Sequence, residues 1–449
     1  NFSIQTKPYG FVCITIRRIY MHNINIVKDM LKAGVYNEQL QNIYNCTDSE
    51  TEFYAKRYIR VIDNFESTFG KKESIALFSA PGRTEIGGNH TDHQHGCVIA
   101  GSVNLDVIAA AAPNGTNVVR IKSEGYPMDI IKLDELEIKE DEFETAAALI
   151  RGMIKKFVDL GYSVGGFDAY TVSNVLKGSG LSSSAAFEVL VGTVINGLFA
   201  NGEVDATEIA KFGKFAENIY YNKPSGLMDQ MASSVGSMVF IDFKSTEKPV
   251  VEKLEFDLKK HGHALCIIDS GADHADLTDE YASIPAEMKE IASYFGKKYL
   301  REIDRNEFYD NIHNIRLKIN NDRAILRAIH FFDENDRAIS EMQAIKNDDF
   351  EEFKRLVRES GYSSYMYLQN IFSNNMPKKQ AVSLVLALCS EILGDRGAYR
   401  VHGGGFAGTV QAFVPFDMLD DFKRRIEDVV GKDSCHILSI RPVGGCELK

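Results

Sequence analysis

"NVLKGSGLSSSAAFEVL", residues 174–190, runs from an apolar strand end through glycines and serines into an apolar helix. A turn of this kind aims unpaired backbone N–H groups and the positive end of a helix dipole at one point, a natural seat for phosphate. Lys177 adds a charge, and the hydroxyls of Ser182, Ser183 and Ser184 can donate to phosphate or ligate Mg²⁺. The string is not a Walker loop, because G-x-x-x-x-G-K-[ST] occurs nowhere in the chain. Taken alone it also fits an ordinary serine-rich helix cap.

Outward from this turn, strands and helices alternate. Residues 21–70 carry helical periodicity and stop at Gly70. "SIALFSAPGR" reads as a strand, and 103–113 and 116–124 as two strands about a Pro-Asn-Gly turn. "ETAAALIRGMIKKFVDLG" reads as an amphipathic helix, "FDAYTVSNVL" as a strand, and 184–200 as an apolar helix. "SMVFIDF" and "GHALCIIDS" read as strands, and about 280–395 as mostly helical. "AYRVHGGGFAGTVQAFVP" is strand, glycine turn and strand, followed by a helix and a last strand, "CHILSIRPV". With no fixed-period repeat and no Pro/Gly/Ser-rich linker, the residues suggest two closely packed α/β or α+β domains. The expected division is 21–218, including the helical segment 21–70, and 219–449. Residues 1–20 precede the first methionine, Met21, and are read as an extension without functional weight.

The balance of 51 basic against 63 acidic residues, net −12, excludes a general nucleic-acid binder, whose affinity rests on neutralising many phosphates. It leaves room for a local pocket that holds one small anion. Seven scattered cysteines without a C-x-x-C pair fit reduced thiols rather than a disulfide framework or a zinc site. The apolar stretch 189–200 is too short to span a bilayer. The expectation is therefore a cytoplasmic, monomeric protein with neither membrane nor nucleic acid as partner.

Three further strings carry chemistry. "APGRTEIGGNHTDHQHG", 80–96, sets an arginine, an asparagine, three histidines and an aspartate between glycines, with only Ile86 to bury, and is read as a polar turn. "AENIYYNKPSGLMDQMASSVG", 216–236, places Asp229 after a Pro-Ser-Gly turn in an apolar stretch. A carboxylate there is either a helix-cap acceptor or a group kept for chemistry. "RVHGGGFAGTVQAFV", 400–414, is read as a tight inter-strand turn, not as the oxyanion loop of an esterase, which works with a G-x-S-x-G elbow.

In this order the strings resemble the GHMP small-molecule kinases. "GRTEIGGNHTDHQHG" is similar to the galactokinase signature G-R-V-N-L-I-G-E-H-T-D-Y-N-G-G, and "GSGLSSSA", "GLMDQ" and "GGGFAG" are similar to the other motifs of that family. "IIDSGADHADLTDEY", 267–281, resembles its D-S-N-x-x-H…S-x-Y stretch. The resemblance implies an α+β fold of two mixed α/β domains, and transfer of the γ-phosphoryl group of ATP, with Mg²⁺, to the C1 hydroxyl of galactose in the cleft between them. It implies Asp229 as base and Arg83 as the charge beside it. Asn89, His90, Asp92, Gly226 and Tyr281 fall at sugar-contacting positions. Lys177, Gly178, Ser179, Gly180, Leu181, Ser182, Ser183, Ser184 and Ala185 fall at ATP-binding positions, with Lys223 a further phosphate contact. Ser184 and Glu217 fall at the metal positions.

The signature also departs from the family. Asn89 stands where the family has Glu, His93 and His95 stand for Tyr and Gly, and Thr84 and Glu85 follow Arg83. "ASIPAE" replaces an arginine pair after Tyr281, and the chain has no tryptophan for an adenine pocket. Asn89 keeps galactose as the expected substrate but removes a charge that would repel a sugar carboxylate, so galacturonate or N-acetylgalactosamine is the alternative. A regulator that binds ATP and sugar without turnover is the other; the survival of Arg83, Ser182–Ser184 and Asp229 favours an enzyme.

Overall fold

The computed structural model describes residues 23–176, 180–223, 225–272 and 277–449; the extension read at residues 1–20 lies outside them. The first helical stretch is three helices: α1 (Ile24–Lys32), α2 (Asn37–Tyr44) and α3 (Asp48–Phe69). A Thr47/Glu50 capping box opens α3, and Gly70, at φ 78°, closes it. Tyr58, Ile62 and Phe65 of α3 pack on Ile108, Ala110 and Tyr170 of the sheet that follows.

That sheet has eight strands: β1 (Ala76–Gly87), β2 (Cys97–Pro113), β3 (Val118–Ser123), β4 (Met128–Lys132), β5 (Phe167–Ser173), β6 (Met238–Asp242), β7 (Val250–Leu254) and β12 (Cys446–Leu448). The order is β12-β1-β2-β5-β3-β4, with β6 on β2 and β7 on β6. Only β3 and β5 run parallel. The helices α4 (Ala146–Asp159), α5 (Ser183–Phe199), α6 (Ala206–Phe215) and α7 (Met228–Val235) complete this half. Ile150 and Met153 of α4 and Val189 and Val194 of α5 share a core with Phe78, Ala109 and Ile121 of the sheet.

The second half holds an antiparallel sheet of β8 (His263–Asp269), β9 (Ala398–His402), β10 (Thr409–Pro415) and β11 (Cys435–Leu438), in the order β11-β8-β10-β9. Between β8 and α12 come α8 (Thr278–Tyr294), α9 (Arg305–Ile319), α10 (Asp322–Lys346) and α11 (Phe350–Ser363). α12 (Ala381–Leu393) and α13 (Leu419–Val430) pack on one face of the sheet through Val385, Cys389, Phe422 and Ile426. Phe353 and Val357 of α11 meet Leu265, Ile267 and Phe413 in a core continuous with that of the first half.

The expected division at residue 218 does not coincide with the division between the sheets. Residue 218 falls in a π-helical turn, Ala216–Tyr220, and β6, β7 and the C-terminal β12 all hydrogen-bond into the first sheet. Strand pairing across hundreds of residues leaves no local sequence signal.

One buried ion cluster ties these pieces together. Asp106, within the apolar run of β2, accepts Arg57 Nη1 of α3 at 2.7 Å, Tyr44 Oη of α2 at 2.6 Å, Ser79 Oγ of β1 at 2.5 Å and Arg441 Nη1 at 3.1 Å. Asp106 and Arg441 are fully buried. Burial alone would lift the Asp106 pKa, but the two arginines and the hydroxyls outweigh it and hold it below the ordinary carboxylate value. We expect Asp106→Ala to cost about 3–5 kcal/mol in a denaturant titration, since it leaves two buried guanidiniums short of a partner. Because the folded pKa is depressed, the carboxylate's contribution is complete above about pH 4 and is lost as pH falls further through the folded value. The variant's deficit should shrink accordingly in acid.

Candidate active site

β1 runs through most of the string read as a turn; it continues to Gly87, and only 88–96 turns. Register shifts against β2 between Pro81 and Arg83 and between Glu85 and Gly87 let the polar residues sit in a strand and re-aim Arg83. Gly82 lets the strand lie against the glycine-serine loop, since a Cβ there would stand 2.9 Å from the Leu181 carbonyl oxygen. The Arg83 amide donates to that same oxygen at 2.9 Å.

The Arg83 guanidinium then meets Asp229 in a two-pronged pair, Nε to Oδ1 at 2.7 Å and Nη2 to Oδ2 at 2.6 Å, while Nη1 donates to the Gly180 carbonyl. Asp229 lies in the first turn of α7, where the helix dipole favours a negative charge. Among the described residues its side chain caps no backbone N–H; it is held by Arg83 and by the Ser182 hydroxyl, which donates to Oδ2 at 2.6 Å. Ser182 reaches it from a left-handed backbone, φ 54°. Burial would raise the Asp229 pKa, but Arg83, Ser182 and Lys223 hold it below its usual value. The carboxylate stays 31% exposed while Arg83 is 12% exposed, so it can be reached from the cleft.

Next to this pair is the start of α5. Lys177, Gly178 and Ser179 lie outside the described residues. Gly180, Leu181 and Ser182 lead into the helix, whose first turn carries Ser183, Ser184 and the buried Ala185. Gly180, at φ 72°, lies over His402, whose imidazole a Cβ would approach to 3.2 Å. His402 in turn pairs with Thr84 Oγ1 at 3.0 Å and Thr409 Oγ1 at 2.9 Å, so the 400–414 turn underpins the loop.

Glu217 sits in the π turn that ends α6. Its Oε1 pairs with Lys223 Nζ at 2.9 Å, and its Oε2 accepts Gln230 Nε2 at 2.8 Å. The other Gln230 N–H goes to Glu188 Oε2 at 2.9 Å. Glu188 and Gln230 escaped the sequence reading, although Glu188 follows Ser184 by four residues and so shares its helix face. Glu188 is fully buried, its Oε1 has no partner among the described residues, and burial together with Glu217 and Asp229 lifts its pKa well above the ordinary value. Among the described residues no three carboxylate, imidazole or thiol groups could hold a metal ion. One hydroxyl, one carboxylate and an unpartnered carboxyl oxygen nearby nevertheless suit a hard cation whose remaining ligands are phosphate and water.

The other end of the cleft is organised by the glycine turn 403–405. His90 Nε2 lies 3.0 Å from the Gly404 oxygen, and Tyr281 Oη donates to the Gly405 oxygen at 2.9 Å. Asp92 opens a short 3₁₀ turn and faces Gly226, where a Cβ would stand 2.9 Å from Asp92 Oδ2. His90, Asp92, Gly226 and Tyr281 thus gather at one end. Asn89 is different: it is buried and its amide is spent on protein. Nδ2 donates to Glu85 Oε1 at 2.9 Å and to the Gly403 oxygen at 2.8 Å, while Oδ1 accepts Asn370 Nδ2 at 3.0 Å and Ser364 Oγ at 3.3 Å. With four protein partners it is placed as scaffold for the turn. The expected carboxylate at 89 and carboxamide at 85 have exchanged places, so a negative charge remains at this end, on Glu85, paired with Arg400.

One G-x-S-x-G string does occur, 161–165, but it joins α4 to β5, helix to strand. A nucleophile elbow needs strand to helix, so the 402–405 turn has no esterase partner here.

Two family descriptions match the chain: the galactokinase galactose-binding signature at residues 63–113 and the GHMP kinases N terminal domain at 148–237. The galactokinase of Glaesserella parasuis serovar 5 (strain SH0165) is 30% identical over 377 residues, 81% of this chain and 91% of that protein. The chain belongs to the galactokinase family. The galactokinase of Actinobacillus pleuropneumoniae is likewise 30% identical, over 78% of this chain and 88% of its own. Lactococcus lactis galactokinase complexed with galactose superposes with a TM-score of 0.72 at 25% identity, over 86% of this chain and 98% of that one. Methanococcus jannaschii mevalonate kinase shares the fold more distantly, TM-score 0.58 at 15% identity over 81% and 98% of the two chains. The motif order and the α+β architecture read from the sequence are those of this galactokinase family.

Gly87 bears on the wall of the site. A Cβ there would fall 1.7 Å from Glu341 Oε2 of α10, a buried carboxyl with no partner on either oxygen. We expect Gly87→Ala to lower stability by about 1–3 kcal/mol through overpacking. Glu341→Ala should return most of that loss in the double variant, giving clear non-additivity in a thermal or denaturant cycle.

Proposed function

We propose that this galactokinase-family chain transfers the γ-phosphoryl group of ATP to the C1 hydroxyl of galactose. The observation that carries the reading is the Arg83–Asp229 pair set between the α5 loop and the His90–Tyr281 end of the cleft. Phosphoryl transfer asks a protein for positioning and charge stabilisation more than for covalent chemistry. Asp229 orients the C1 hydroxyl and accepts its proton; it already accepts one hydroxyl, from Ser182, while keeping Arg83. Arg83 keeps Asp229 ionised and turns its remaining charge toward the transferring group.

The ATP phosphates fit the glycine-serine loop at the N-terminus of α5, of which Gly180 to Ala185 are described, with Lys177, Gly178 and Ser179 as further ATP contacts by motif match. Ser184 and Glu217 are the residues that would hold Mg²⁺, which neutralises phosphate oxygen charge when bound. Lys223, tied to Glu217, sits at the same end. His90, Asp92, Gly226 and Tyr281 take the sugar hydroxyls. Galactose is the leading substrate, since the Lactococcus lactis galactokinase whose fold the chain shares is complexed with galactose. Among the described residues the six cysteines are free and no helix is long and apolar enough to cross a membrane; a cytoplasmic setting suits such thiols.

An ADP-release assay with MgATP over galactose, galacturonate, N-acetylgalactosamine and glucose should give the highest kcat/KM with galactose. Asp229→Asn should lower kcat by about 10³-fold. Release of ADP with galacturonate alone would move the substrate, and silence with every sugar would leave a binding protein. A second expectation concerns pH. Burial raises the Asp92 pKa, Glu85 and Asp229 adding to it against His90, so its carboxylate takes up a proton sooner on acidification than an ordinary aspartate near 3.9. The sugar KM should therefore climb on acidification before an ordinary aspartate would take up its proton, while the ATP KM stays flat, and Asp92→Asn should remove that dependence.

A further inference from the structure

The turn that bears His90 and Asp92 is held from below by α10, in the second half of the chain. Glu334 Oε1 accepts two successive backbone amides, Gly88 at 3.2 Å and Asn89 at 3.1 Å, and also Ser360 Oγ at 2.6 Å. Its Oε2 pairs with Arg337. One helical turn earlier on the same face, His330 Nε2 lies 2.9 Å from the Asn89 carbonyl, and its Nδ1 lies 2.8 Å from Ser363 Oγ. Both side chains are fully buried. Gly88, at φ 82°, has no room for a side chain, since a Cβ would stand 2.3 Å from the Cys97 oxygen. The backbone at 88–89 is thus gripped by its N–H and C=O groups together, directly before His90.

We propose that Glu334 is a positioning residue for the sugar: by anchoring the 88–89 amides it sets where His90 and Asp92 present their polar atoms. This rests on the galactose reading above. Among the described residues Glu334 makes no hydrogen bond to the Arg83–Asp229 pair or to the α5 loop, so its influence falls on sugar binding and not on ATP. A carboxylate suits the task because charge-assisted hydrogen bonds are roughly twice as strong as neutral ones. Although burial opposes it, Arg337, His330 and Arg400 hold this carboxyl ionised, with a pKa of about 2.

The test compares Glu334→Gln with the unaltered full chain. Sugar binding is first measured by calorimetry on the unaltered chain for galactose, galacturonate and N-acetylgalactosamine, which decides the substrate reading independently. With the sugar that binds, Glu334→Gln should weaken binding and raise the sugar KM about tenfold, with ATP KM and kcat within about twofold. Ser360→Ala removes a single donor from the same oxygen and serves if the first variant does not fold; it should raise the sugar KM about two- to threefold and leave ATP unchanged. Parallel changes in both KM values, or an unchanged sugar affinity in a folded variant, would overturn the proposal. Failure of all three sugars to bind the unaltered chain would overturn the galactose reading itself, and the positioning role with it.

Discussion

The site depends on one ion pair formed across 146 residues of sequence, the fork of Arg83 on Asp229. Neither partner could be sheltered alone, because an unpaired charge in such a place is strongly disfavoured. Their pairing requires β1, α7 and the loop before α5 to meet at one point. The bulge at Pro81–Arg83, the bare Gly82 against the Leu181 oxygen and the left-handed Ser182 each serve that convergence. The paired carboxylate remains ionised and partly exposed. A group charged, oriented and reachable at once is what a hydroxyl acceptor needs beside a phosphoryl donor.

The opposite end of the cleft is built on backbone carbonyls. The successive oxygens of Gly403, Gly404 and Gly405 receive Asn89, His90 and Tyr281. Asn370 enforces the turn's shape, since its oxygen would lie 2.0 Å from a Cβ at Gly405. Glycine at 405 is therefore a matter of space as well as of its φ of 80°. Around this turn the polar groups are mostly satisfied, and the exchange of carboxylate and carboxamide between 85 and 89 preserves their number while changing which one faces protein. A buried polar network works as a rigid support only when nearly every member has a partner.

Several features were legible in the chain because their cause is local. Gly70 ends a helix by its backbone freedom, and the strand, glycine-serine turn and helix around residue 180 announce themselves by periodicity and turn residues. Asp229 stood out as a carboxylate in an apolar stretch. Glu334, His330, Glu188 and Asp106 did not, because on their own helices and strands they look like surface or core punctuation. Their meaning comes from what lies opposite them: the amides of 88–89, Gln230, or two arginines from distant segments. Asn89 was legible as a departure, yet its consequence was not, because only packing reveals that four protein groups already occupy its amide.

By itself, the order of residues determined most of the element types and, through its ordered motifs, the family with its α+β class, since helix periods, turn chemistry and motifs are properties of neighbours along the chain. Tertiary structure alone decided which strands share a sheet, so that β6, β7 and β12 return to the first half across the expected boundary. It alone decided that α10 underlies the turn before His90 and that Glu85, paired with Arg400, holds the Asn89 amide. The physical reason is the same in each case. Hydrogen-bond direction and desolvation depend on groups far away in sequence, and those groups become neighbours only when the chain has closed on itself.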